Sequence, residues 1–107
     1  MGYTVELAEA NIRAVKCYYD VENVEEARKF AEKSMTSLEN CHNPKHRIRL
    51  LWTLLRHTFE GDDISMCRSV LDHVKEVVGR VRNHWNKCEA WMSIDQMEVI
   101  LDSLQPA

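Results

Sequence analysis

Residues 11–38, NIRAVKCYYDVENVEEARKFAEKSMTSL, read as two helices folded back on each other about a short polar turn, Asp20-Val21-Glu22-Asn23. Ahead of the turn, Ala8, Ile12, Val15 and Tyr19 recur at i, i+4, i+7 and i+11, the spacing of one helix face, and Leu7, Ala14 and Tyr18 widen the stripe. Beyond it, Val24, Ala27, Ala31, Ser34 and Leu38 form a second stripe, with Phe30 and Met35 alongside. The small residues at 27, 31 and 34 would let another helix approach closely. Asn23 followed by Glu26 suits a capping box, and Thr4 followed by Glu6 suits the start of the first helix. A lone hairpin of this kind has two apolar faces and too little surface to bury both. The remaining chain is expected to cover them.

Working outward, Asn43-Pro44 opens a third helix, because proline at the first helical position gives up only an N–H that has no partner. Its stripe is Ile48, Leu51, Trp52, Leu55 and Phe59, and Gly61 is expected to stop it with a positive φ. Asp62 or Asp63 then caps a fourth helix with the stripe Cys67, Leu71, Val74 and Val78, flanked by Ile64, Val70 and Val77. The last segment carries two stripes on nearly opposite sides: Trp85, Cys88 and Met92, and Ala90, Ile94, Met97, Leu101 and Leu104. It is either one helix buried on two faces or two helices broken at a Ser93/Gln96 capping box. The expected fold is all-α: a single domain over 1–107 with five or six antiparallel helices stacked as helical hairpins. Hairpin 1 spans about 4–40, hairpin 2 about 43–79, and a C-terminal capping segment about 83–104.

Composition agrees. A chain of 107 residues with 45% hydrophobic and 29% charged residues can bury a core without covalent staples, and 3 Gly and 2 Pro argue for long helices with few turns. A net charge of −3 supplies no general field for nucleic acid. Cys17, Cys41, Cys67 and Cys88 form no C-x-x-C pair, and no charged and apolar leader pattern opens the sequence. The expectation is a cytoplasmic protein with reduced thiols. Met1-Gly2 lacks the Ser or Thr at position 6 that myristoylation wants, and no apolar run approaches membrane-spanning length.

With the helices placed, the first hairpin resembles a tetratricopeptide repeat, a helix–turn–helix unit with large and small residues at set offsets. Tyr18 falls where that family has its first-helix Tyr. Glu22-Asn23-Val24-Glu25-Glu26-Ala27 resembles its turn and the small residue of its second helix, and Ser34 falls at a second small position. In the second hairpin Trp52, Leu55 and Phe59 keep the W-x2-L…aromatic spacing, Gly61-Asp62 supplies the turn, and Cys67 stands for the small residue. Trp85, Cys88 and Met92 echo it again. Asn11 occupies the first Trp position, the helix Gly is absent, and Asn11 and Trp52 are 41 residues apart where a regular array repeats at about 34. The resemblance implies a non-catalytic module that binds a peptide or partner helix in a groove lined by the first helix of each pair. Ile12, Lys16, Tyr19, Thr53 and His57 would face that groove. The Asn and Lys arrangement that clamps a peptide carboxylate in some members is not evident.

Other candidates stand beside this one. Arg68-Ser69-x-x-x-His73 resembles the R-x4-6-H signature of HEPN domains, helical proteins that include metal-independent ribonucleases, with Arg68 for phosphate charge and His73 for acid–base chemistry. A five-residue offset places the two about 140° apart around a helix, a poor geometry for one site. Cys41, His46, His84 and Cys88 would form a zinc set only if two distant regions met, and their spacing matches no standard finger. No metal and no cofactor are expected. Trp91 falls off both C-terminal stripes and is the candidate exposed aromatic anchor for a partner. The double-striped C-terminal segment also suits contact with a second copy, a homodimer.

Overall fold

Two interhelix turns set the architecture, and they are built alike. The helix Gly2–Asp20 (α1) ends with Glu22 N–H donating to the Tyr19 carbonyl and Asn23 N–H to that of Tyr18. The helix Pro44–Glu60 (α3) ends with Asp62 N–H donating to Phe59 and Asp63 N–H to Thr58. Both are Schellman motifs, which close a helix by wrapping the chain back onto its last carbonyls. Each is followed by an Asx cap: the Asn23 side chain accepts the Glu26 N–H, and the Asp63 side chain accepts the Met66 N–H. The corresponding bonds are displaced by 40 positions throughout.

The computed structural model describes the backbone of residues 2–80 and 84–104, and the side chains of 5–80 and 93–104. Within these the chain is all-α, with α2 (Val24–Leu38), α4 (Ile64–Arg80) and α5 (His84–Leu104) completing five helices and no strand among the described residues. Hairpins α1/α2 and α3/α4 stack through α1 on α3, with α2 touching both α3 and α4, and α5 packs along α4. The radius of gyration of 13.6 Å matches the ~13 Å of a folded chain this long.

Most of the expected stripe residues form the core, while Leu7, Val24 and Leu104 are exposed. Ala8, Ile12, Val15, Ala27, Ala31, Ser34 and Leu38 are all buried, as are Leu51, Leu55, Cys67, Leu71, Val74 and Val78. Ala27 and Cys67 occupy equivalent places behind the two turns, each fully buried. Trp52 is partly buried against the core. Asn43 accepts the N–H groups of Lys45 and His46, and Pro44 opens α3 as its spacing suggests.

Two local expectations are corrected and one open alternative is decided. α1 begins at Gly2 and runs through Thr4, since a β-branched residue costs a helix only tenths of a kcal/mol, ~0.5, and does not stop it. α5 is one helix through Ser93. Ser93 is exposed, and Ile94, Met97 and Leu101 continue one stripe against α4, reinforced by ion pairs Lys75–Glu98 and Arg68–Asp102. The left-handed residue after α3 is Asp62, at φ 58°, while Gly61 sits at φ −82°. Glu22, at φ 61°, holds the same place in the first turn. A side chain there costs about 1 kcal/mol. Asp62→Gly should therefore raise stability by roughly 0.5–1 kcal/mol, read as a higher urea midpoint at unchanged m-value.

Candidate functional site

Stacking α1 beside α3 leaves a groove between their outward faces. α1 supplies Glu9, Ile12 and Arg13; α3 supplies Arg49, Leu50, Thr53 and His57, one turn apart along the helix. The groove holds about 350 Å³, the lower end of the range for binding clefts. Its floor is apolar: Ile12 is 2% exposed and Leu50 7%. Its walls carry two arginines, Arg13 and Arg49, against one acid, Glu9, in a chain whose net charge is −3.

The two lining arginines are differently placed. Arg13 is exposed and makes no hydrogen bond or ion pair among the described residues. Arg49 donates only to the His46 ring, at 3.3 Å, and His46 lies 3.7 Å from the Glu9 carboxylate. The Thr53 hydroxyl donates to the Arg49 carbonyl, which fixes its rotamer. His57 is buried to 8% exposure, and its Nδ1 has no hydrogen-bond partner. Burial first, and the Arg56 charge second, push its pKa below the ordinary histidine value. The neutral ring puts a polar but uncharged group at the base of the groove.

Of the residues expected to face a partner, Ile12, Thr53 and His57 line this groove. Lys16 stands just outside it and pairs with Asp20 at 3.4 Å, close enough for its charge to act on His57. Tyr19 turns the other way. Its hydroxyl donates to Asp63 at 2.8 Å, and its ring lies over Gly61. Tyr19 thus belongs to the junction between the hairpins. The side chain of Trp91 lies outside the described residues.

The junction is an ion pair between a buried carboxylate and a half-exposed guanidinium. Asp63, 6% exposed, accepts both Nε–H and Nη2–H of Arg28 at 2.7 and 2.9 Å, together with the Tyr19 hydroxyl. Burial by itself would raise the Asp63 pKa; the hydrogen bonds from Arg28, Tyr19 and the Met66 N–H outweigh it and hold the carboxyl below its ordinary value. Burial and the Asp63 hydrogen bond push the Tyr19 hydroxyl well up. Lys29, the neighbour of Arg28, is exposed and pairs with Glu26 of its own helix at 3.2 Å.

The remaining candidates do not converge. Arg68 bonds Asp102 of α5 at 2.6 Å, and the His73 Nδ1 meets the Ser69 carbonyl of its own helix at 2.9 Å. Cys41 bonds the Asn43 carbonyl and lines a small cleft with His42 and Arg47. His46 faces Glu9, and the side chains of His84 and Cys88 lie outside the described residues. No metal-binding group occurs among the described residues, and no helix among them is long and apolar enough to cross a membrane. Cys67 is fully buried against the Thr58 hydroxyl, and burial raises its thiol pKa.

No family model, curated protein or solved structure matches the chain.

A second groove, between α1 and α2, is lined by Leu7, Asn11, Lys29, Glu32, Lys33 and Thr36, among others. Its cations are already engaged: Lys29 with Glu26, and Lys33 over the Phe30 ring at 4.7 Å. On α5, Val99, Ile100 and Leu104 are exposed. The sequence pattern reached Ile12, Thr53 and His57 but missed Glu9, Arg13 and Arg49. The i, i+4, i+8 spacing of Arg49, Thr53 and His57 was the available signal for one wall.

Proposed function

We propose that the protein is a non-catalytic interaction module that holds a segment of a partner protein in the α1/α3 groove, in the manner of a divergent tetratricopeptide-like pair of hairpins. The supporting observation is the 40-position correspondence between the two Schellman-and-cap turns. It stacks two like hairpins so that their first helices stand side by side and share one open face. An apolar floor with polar walls is the usual composition of a binding cleft. The rival ribonuclease reading is less well supported. Arg68 is occupied by Asp102, and His73 by its own helix.

The test is selection of short peptides from a randomised display library, followed by mapping of backbone amide shifts. Bound peptides should shift Ile12, Thr53 and His57 and leave α2 and α5 quiet, and Thr53→Trp, which fills the groove, should lower affinity at least tenfold, about 1.4 kcal/mol. Shifts confined to other surfaces would sink the groove reading. RNA cleavage by the wild type that disappears in Arg68→Ala/His73→Ala would install the enzyme in its place.

A further inference from the structure

We propose that the segment held in the α1/α3 groove is acidic: a peptide whose Asp or Glu side chains lie between Arg13 and Arg49 and whose apolar side chains rest on Ile12 and Leu50. This rests on the groove reading above and names the chemistry of its ligand. Arg13 has no ion pair or hydrogen bond among the described residues, and Arg49 has only the His46 ring. Two guanidiniums on facing helices therefore line one groove and outnumber its single carboxylate, Glu9. Guanidinium is the cation whose planar fork matches a carboxylate, so arginine at both positions suits that ligand better than lysine would.

The surrounding charges leave this balance positive. Lys16 is offset by Asp20 and Arg56 has Glu60 nearby, while Glu9, the one acid in the lining, lies 3.7 Å from the same His46 Nε2 that accepts from Arg49, so the lining holds two guanidiniums against one carboxylate. The cations are also concentrated rather than general. The groove lining has two cations against one acid while the whole chain is −3, and the described part of α5, with Asp95, Glu98 and Asp102, has only acids. A local positive excess of this kind draws an anionic ligand to the groove despite the negative net charge.

A phosphate backbone would meet the same arginines, and the groove is a poor host for it. Its lining offers no Phe, Tyr or Trp for bases to stack on, and the net charge repels a polyanion beyond the groove. The apolar floor instead suits peptide side chains.

The experiment selects from the same random peptide library on three proteins: wild type, Arg13→Gln/Arg49→Gln, and Lys29→Gln/Lys33→Gln, which loses equal charge from α2. All four positions are exposed, so folding should be retained, as circular dichroism will verify. Wild type and the α2 variant should enrich Asp and Glu; the groove variant should not. The best acidic peptide should bind the groove variant about tenfold more weakly, the sum of two exposed Arg–carboxylate contacts, and its Asn/Gln counterpart should bind wild type with a like loss. Arg13→Glu/Arg49→Glu should enrich Lys and Arg instead. Peptides without acidic excess that still shift Ile12 and Thr53 would overturn the charge inference and leave the groove reading standing. No selected peptide, or none that shifts the groove, would overturn both. Tighter binding of a labelled oligouridine than of any peptide, lost in the groove variant, would reassign the arginines to phosphate.

Discussion

Asp63→Ala should cost about 3 kcal/mol of unfolding free energy and lower the thermal midpoint by roughly 10–15 °C. The carboxylate serves three purposes at once. It caps α4 through the Met66 N–H, anchors α2 through Arg28 and anchors α1 through Tyr19. Its removal leaves the Tyr19 hydroxyl without its acceptor and unpairs a guanidinium. The cost stays below that of a fully buried pair because the Arg28 side chain is 50% exposed and water can solvate what is left. Asp63→Asn keeps the cap and loses the charge, so about half of the effect should survive. An Arg28→Ala/Asp63→Ala double-mutant cycle isolates the pair, and a coupling near zero would mean that the cap alone carries Asp63.

The same pair has a pH signature with a definite sign. The folded-state pKa of Asp63 lies below its ordinary value, so the unfolded chain binds the proton more readily. The stability contributed by this group is fully present above the unfolded value of about 3.9 and is lost as pH falls through the folded value. The stability difference between wild type and Asp63→Asn should be flat above about pH 5 and shrink below about pH 4. A difference that grows toward low pH would reverse the assignment.

Gly61→Ala should destabilise by about 2 kcal/mol, although its φ of −82° suits alanine. A Cβ at this position would lie 2.6 Å from both Cδ1 and Cγ of the Tyr19 ring. The ring cannot simply retreat, because its hydroxyl is tied to Asp63. Gly79 provides the contrast of sign: a Cβ there meets nothing within 4 Å inside α4, so Gly79→Ala should gain ~0.5–1 kcal/mol from chain entropy. Placing Gly61→Ala in a Tyr19→Leu background should recover most of the loss. Equal melting temperatures for the two glycine variants would show that close approach plays no part.

These outcomes mark where local chemistry stopped and tertiary structure took over. The helices, their stripes and the caps at Asn23 and Asn43 were legible in the chain because each depends on residues within a turn of one another. The hairpin register was legible only to within a residue. Stripe matching aligned Asn11 with Trp52, at 41, whereas the turn hydrogen bonds repeat at 40. Helical faces tolerate a step of three or four residues, and a Schellman turn does not. The role of Gly61 was misread for a related reason. Glycine is the usual left-handed residue, but here Asp62 takes that conformation, and glycine answers to a tyrosine 42 positions earlier.

By itself, then, the sequence determined an all-α chain of helical hairpins and the stripes that form its core, since periodicity and capping are short-range physics. Only the tertiary structure decided that Arg28, half exposed on α2, binds Asp63, 35 residues on, and that Tyr19 closes the junction instead of the groove. It alone brought Arg13 and Arg49 to opposite walls of one cleft. Charges on different helices meet according to how those helices pack, and no spacing along a single helix encodes that.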